Sequence, residues 1–466
     1  MKKLRLSTKE LRRLGYESEQ VIHQAKLSID KFYKHAAKKD VLELLENIIQ
    51  QPEQYRKHNH FSALVESLSP STVKEKAAVT LNEEPLPYTV FGKSEIEESP
   101  LKQMNQAMQL PITRKGALMA DAHQGYGLPI GGVVATENAV IPYGVGMDIG
   151  CRMCMSVYPQ DIVNMDKDKE RLTQILLNET RFRKDEFQHS PEHEIIDRNE
   201  FNSIPFLRTL QSKAYKQLGT SGHGNHFVDI GELGIMDKDN EWNLPVGKYF
   251  AVLSHSGSRG MGAEIARHYT RIAKDICQLP KGFRELSWLG LNTEEGQEYW
   301  QAMNLAGDYS AANHEIIHQK FSKAIAEIPL FKVENHHNFA WKEALEDGTE
   351  VIVHRKGATP TQKGVLGIIP GSMATPAFLV RGKGSAESIY SAAHGAGRVF
   401  SRKAAKQAIS KKKMQHFLSK ENITLIGGNT DEAPWVYKDI KKVMGYQKEL
   451  VETIAKFTPR IVRMST

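Results

Sequence analysis

Cysteine is scarce. Cys151, Cys154 and Cys277 are the only three in 466 residues, too few for a disulfide framework and suited to a reducing compartment. Long apolar runs are also missing: none approaches the ~18 residues that span a bilayer. The opening MKKLRLSTKELRR has no hydrophobic stretch after its charges. A cytoplasmic protein with no membrane partner is therefore expected. Internal repeats and low-complexity tracts are absent, which excludes solenoid and collagenous architectures. The chain is 40% hydrophobic and 25% charged, as a globular protein is. Acidic residues do not predominate, since 62 Lys and Arg face 55 Asp and Glu for a net charge of +7. From Arg398 to Lys420 every charged residue is basic. Taken alone, such a run is a solvated helix face more often than a nucleic-acid surface.

Residues 1 to about 80 read as helical. In AAKKDVLELLENIIQ the apolar Val41, Leu42, Leu45, Ile48 and Ile49 recur at helical spacing, and Gln51-Pro52 ends that helix. The proline-rich EEPLPYTVFGKSEIEESP reads as a linker, with a boundary near residue 85. This gives a helical N-terminal extension over 1–85 and a second domain over 86–466. From Ala117 to Val157 the texture changes to short β-prone stretches punctuated by seven glycines. Residues 160–218 and 264–330 read as mostly helical. KYFAVLSHSGSRG, TEVIVHRKGATP and VLGIIPGSMATPAFLVRG each run an apolar strand into a polar, glycine-containing loop. These stretches fit an α+β class with central sheets flanked by helices and a site in strand-end loops, a class that the family resemblance described below chiefly implies.

Those loops carry the chemistry. Asp148 and Cys151 stand three residues apart in a glycine-bounded turn, and His226, His255 and His337 lie in three further loops. A carboxylate, a thiolate and imidazoles together can bind zinc, iron or manganese, and the donor set alone does not choose among them. Cys151 and Cys154 form a C-x-x-C, which fits a redox pair or half of a zinc site, but no second pair and no thioredoxin-like pattern accompanies it, which disfavours a redox role.

GVGMDIGC, LGTSGHGNHF, SHSGSRG, HHNFA, RKGAT, IPGSM and HGAGRVFSR resemble, in order and spacing, the motif series of the RtcB family of RNA ligases. The similarity runs from about Leu110 to Asp439. What the resemblance implies is an RtcB-like fold and a ligase that joins RNA ends bearing a 2′,3′-cyclic phosphate or 3′-phosphate to 5′-hydroxyl ends. Such a ligase uses GTP and two Mn²⁺ ions, with an archease-type protein as an activator. The resemblance assigns Cys151 as the bridge between the metals, Asp148, His226, His255 and His337 as the other ligands, and His394 as the nucleophile that takes GMP from GTP. It places Asn225, Phe227, Ser372 and Tyr437 around the nucleotide and Arg259, Arg398 and Arg402 on phosphates, with the basic run after His394 as a phosphate-tracking helix. Asp121 and His123 resemble a glycine-rich loop near the site, as support for the metal ligands or as a structural turn.

Some positions differ from the family pattern. Arg152 follows the bridging cysteine where Gly is usual, Asp229 stands where Glu is common, Ala374, Pro376 and Ala377 replace small and hydroxyl residues, and the end PRIVRMST lacks a lysine-glycine pair. These differences suggest a divergent paralogue. Two other readings use the same residues: a nucleotide-independent metal phosphoesterase on RNA ends, and a catalytically silent RNA-binding metalloprotein.

Overall fold

The computed structural model describes residue 4 and residues 6–16, 19–56, 58–68, 79–159 and 164–465. The chain divides into two compact units, Met1–Ala77 and Ala78–Thr466.

The smaller unit is helical, with helices Thr8–Arg13, Glu19–Phe32, Lys38–Gln50, Pro52–Tyr55 and Ser62–Leu68. The first opens on a reciprocal cap: Ser7 Oγ accepts the Glu10 N–H at 3.2 Å, and the Glu10 carboxylate accepts the Ser7 N–H at 2.9 Å. Val41, Leu45 and Ile48 are buried along one stripe of Lys38–Gln50, as their spacing requires. They pack with Leu11, Tyr16 and Phe61, and each such side chain contributes about 1.5–3 kcal/mol of burial. The expected helix reaches residue 80, but 69–78 fall outside the described residues.

The larger unit is mixed, with two main sheets of mostly antiparallel pairs. The smaller sheet orders Thr89–Val90, Thr113–His123, Ile130–Thr136, Glu350–Lys356 and Asn338–Ala344. The eight-stranded sheet runs from Leu366–Ile369 through Ala377–Gly382, Val451–Met464, Phe227–Ile235, Gly247–Ser256 and Arg152–Tyr158 to Phe331–His336, with Thr424–Ile426 beside Val451–Met464. It curls into a nearly closed barrel, and Asn335 on one edge strand accepts the Ile368 backbone N–H of the other at 2.9 Å.

Side-chain alternation gives the curled sheet two covered faces. Met153, Met155, Val157 and Leu253 point into one core with Ile454 and Phe457. Tyr158, Phe250 and Val252 point to the other, against Ile317, Phe321 and Ile325 of the 32-residue helix Glu294–Ile325. All seven residues of Arg152–Tyr158 are buried as a result.

Two local expectations change and a third is refined. The proline-rich segment read as a linker packs Leu86, Tyr88 and Val90 into a core of the larger unit. Residues 164–218 are helical in short pieces, Lys169–Glu179, Glu194–Asp197, Glu200–Ser203, Pro205–Arg208 and Gln211–Gln217, and 160–163 fall outside the described residues. The basic run is not one helix but two, Arg402–Ala408 and Lys411–Lys420, because Ser410 caps a new helix through the Lys413 N–H.

Candidate metal centre and nucleotide pocket

Neighbouring strands of the curled sheet bring the expected ligands to one end. Register pairs Met153 with His255, Phe227 with His255 and Arg152 with His336, so Cys151, His226, His255 and His337 stand side by side. His255 is not in a loop as its sequence suggested: it is the penultimate residue of Gly247–Ser256. His337 is the single residue between a strand of the large sheet and one of the small sheet.

Cys151 Sγ lies 3.1 Å from His255 Nε2 and 3.4 Å from His226 Nε2. His255 Nε2 is 3.3 Å from His337 Nε2, and His226 Nε2 is 2.9 Å from Asp148 Oδ2. Two triads form, Cys151–His255–His337 and Asp148–Cys151–His226, and they share the thiol. The Asn225 carbonyl accepts from His255 Nδ1 at 2.9 Å, which fixes the tautomer and turns the Nε2 lone pair inward. Burial keeps His255 neutral, with its pKa down at about 3, and pushes His337 well below the ordinary imidazole value. Burial alone would raise the Asp148 carboxyl, but His226 and other neighbours outweigh it and hold the pKa at about 2. Burial, then Asp148, push the Cys151 thiol well above its usual value. Buried lone pairs converging in this way fit a cation. Gly222 and Gly257 make the room, because a methyl on either would overlap His226 Nδ1 or the Asp148 carboxylate.

Arg152 does not crowd the cage. Strand alternation sends it to the opposite face, where it meets Glu334 at 3.2 Å and the Gly307 carbonyl at 2.9 Å.

His394 follows the short strand Ser391–Ala393, and its ring centroid is 4.8 Å from that of His337. Asp121 is in neither a turn nor the metal cage: it is a fully buried residue of Thr113–His123 that bonds His394. His123 turns its ring back on the Asp121 carbonyl, and burial lowers its pKa to about 4.

A cavity of about 850 Å³ opens over both, and Asn225, Phe227, Ser372, Arg398, Arg402 and Tyr437 border it. Ser372 Oγ is held by Thr375 Oγ1 at 2.9 Å, and Phe227 packs against the His255 ring. Arg398 and Arg402 meet buried carboxylates: Arg402 bonds Asp431 at 2.9 Å and also Glu432, while Arg398 lies 3.5 Å from Glu432. Tyr437 donates its hydroxyl to Glu432. Arg259 does not border the cavity: its Nε donates to Thr220 Oγ1 at 2.9 Å and its guanidinium to the Arg183 carbonyl.

Sequence reasoning missed Glu432, and it missed Lys356 although it noticed RKGAT. Lys356 is buried at the cavity wall, donates to the Tyr126 and Tyr143 carbonyls, and has its pKa pushed down to about 7 by burial. The available signal was the strand Glu350–Lys356 itself, whose apolar run Val351–Val353 continues into His354, Arg355 and Lys356 within one buried element.

The family model described as tRNA-splicing ligase RtcB matches residues 103–204 and 184–465. The chain belongs to the RtcB family. Among its relatives, RNA-splicing ligase RtcB1 of Escherichia coli is 31% identical, over 77% of this chain and 92% of that protein. The tRNA-splicing ligases RtcB of Methanococcus maripaludis and Nanoarchaeum equitans are each 31% identical, over 75% and 78% of this chain and 87% and 91% of theirs. No helix among the described residues is long and apolar enough to cross a membrane.

Proposed function

We propose that this RtcB-family protein is a GTP- and Mn²⁺-dependent RNA ligase of the cytoplasm. It would join a 2′,3′-cyclic phosphate or 3′-phosphate end to a 5′-hydroxyl end through a GMP–His394 intermediate. One observation carries the reading: an imidazole held by a buried carboxylate stands beside a cage of three imidazoles, a thiolate and a second carboxylate. Asp121 accepts a hydrogen bond from Nδ1–H, which leaves the Nε2 lone pair of His394 free to attack the α-phosphorus of GTP, with pyrophosphate leaving. The phosphoramidate so formed stores the energy that sealing needs. A 2′,3′-cyclic end is first opened by water, which breaks the bond to the 2′-oxygen; the RNA 3′-phosphate then takes the GMP, and His394 is released. Attack by the 5′-hydroxyl on the activated phosphate forms the phosphodiester and expels GMP.

Asp148, Cys151, His226, His255 and His337 would hold the metals, with the shared thiol as bridge. Bound there, divalent ions neutralise charge developing on phosphate oxygens. Asn225, Phe227, Ser372 and Tyr437 would cradle the nucleotide, while Arg259, Arg398 and Arg402 would serve phosphates of the nucleotide or RNA. Residues 86–466 would form the catalytic domain, residues 1–85 the extension, and an archease-type protein would assist turnover.

The test is GTP labelled at the α-phosphate. Wild-type protein with Mn²⁺ should acquire acid-labile label, and His394→Ala should acquire none. A protein that cleaves RNA phosphate ends equally well with and without GTP, and never takes up label, would instead be a phosphoesterase.

A further inference from the structure

The strand Gly247–Ser256 carries His255 on its front face and Ser254 on its back. The strand beside it, Arg152–Tyr158, likewise turns Cys154 and Ser156 backward, against the helix Glu294–Ile325. That helix contains His314-Glu315-Ile316-Ile317-His318, and the four-residue spacing puts both imidazoles on one face. Such spacing binds zinc when a third donor faces it.

Here the third donor is present. Cys154 and His314 are fully buried and His318 is 3% exposed. One ligand atom of each lies within 4.8 Å of the others. Ser254 Oγ is 2.6 Å from His314 Nδ1 and 2.8 Å from His318 Nε2, and Ser156 Oγ is 2.7 Å from His318 Nδ1. His314 Nε2 is buried with no hydrogen-bond partner, an open position in an otherwise saturated group.

We propose that Cys154, His314 and His318 hold a structural zinc ion behind the sheet, with a serine hydroxyl in the remaining position. Thiolate and imidazole are the donors that zinc takes in tetrahedral sites, and the serine hydroxyl would supply the fourth position that two imidazoles and one thiolate leave. A hydrolytic role is excluded by access and by the glutamate. None of the three residues borders the 850 Å³ cavity or the second, 500 Å³ one. Glu315, the base in a hydrolase of this spacing, is exposed and bonded instead to Gln319 at 2.7 Å. The site shares no residue with the front cage. Its ion ties the strand of Cys154 to the long helix and so braces the sheet that aligns Cys151 and His255.

The test uses the full chain with Cys151→Ser and Cys277→Ser, so that Cys154 is the only thiol. Loaded with cobalt(II), this protein should show a thiolate-to-cobalt charge-transfer band, and adding His318→Gln should remove most of it. A folded single-thiol chain without the band would overturn the proposal and leave a hydrogen-bonded Ser–His relay in its place. Independently of these variants, wild-type protein dialysed against chelator until the front cage is empty should retain one zinc ion by mass spectrometry. Retention of none would overturn the proposal equally.

Discussion

The Asp121 carboxylate accepts the Nδ1–H of His394 at 2.7 Å and, through the same oxygen, the His394 backbone N–H at 3.2 Å. Ring orientation and tautomer are both set by one buried residue. Asp121→Asn keeps the shape but can offer an N–H to Nδ1, which favours the tautomer with its proton on Nε2. The expected result is a fall in GMP transfer of about 10²–10⁴-fold, by the logic of carboxylate-held histidines. Single-turnover labelling with GTP measures it. An unchanged rate in a folded variant would remove Asp121 from the mechanism.

Metal binding should tighten as pH rises. His255 and His337 are neutral at neutral pH and Asp148 is ionised, so none of these three must lose a proton. The Cys151 thiol, raised by burial, must lose one. Below the thiol's pKa, log K for Mn²⁺ should therefore rise by about one per pH unit, about 1.4 kcal/mol. Titration calorimetry at several pH values in buffers of different ionisation heat gives both the slope and the proton count. Cys151→Ser should flatten the slope, and a flat wild-type profile would mean that the thiol is not a ligand.

The front cage was legible because its candidate ligands sit in short polar motifs, glycine- or serine-containing for Asp148, Cys151, His226 and His255 and HHNFA for His337, and these motifs keep their order along the chain. Asp121 was quoted but misplaced, since DAHQGYG looks like a loop while its aspartate lies inside a strand. Its partner, 273 residues away, is set by packing of the small sheet and not by any local pattern. Glu432 was missed because an Asp-Glu pair near a proline carries no signal until Arg398, Arg402 and Tyr437 are seen to surround it. The α+β class came chiefly from the family resemblance, whereas curling of the large sheet depends on pairings between Phe227–Ile235 and Val451–Met464, far apart in the chain.

RNA affinity should depend on lysines that nothing neutralises. Arg402 and Lys406 face Asp431, while Lys403, Lys411 and Lys412 are exposed and have no acidic partner among the described residues. Each phosphate contact on single-stranded RNA contributes about 0.7 to the slope of log K against log salt. Changing these three to Gln should reduce that slope by about 2 and leave GTP labelling intact. Filter binding across a salt series decides it, and an unchanged slope would place the RNA elsewhere.

Gly257 gives a test of the cage that replaces none of its candidate ligands. A Cβ there would overlap the Asp148 carboxylate, so Gly257→Ala must push that group away from His226. The same carboxylate is the acidic donor of the triad formed with Cys151 and His226. Mn²⁺ affinity should fall about 10–100-fold, the usual cost of misplacing a ligand through its support. The triad of Cys151, His255 and His337 is untouched, so one ion should still bind while the other weakens. Two-site analysis of a Mn²⁺ titration followed by electron paramagnetic resonance separates these outcomes. Equal weakening of both sites would show that the two triads act as a single unit, and no weakening would show that Asp148 is not a ligand.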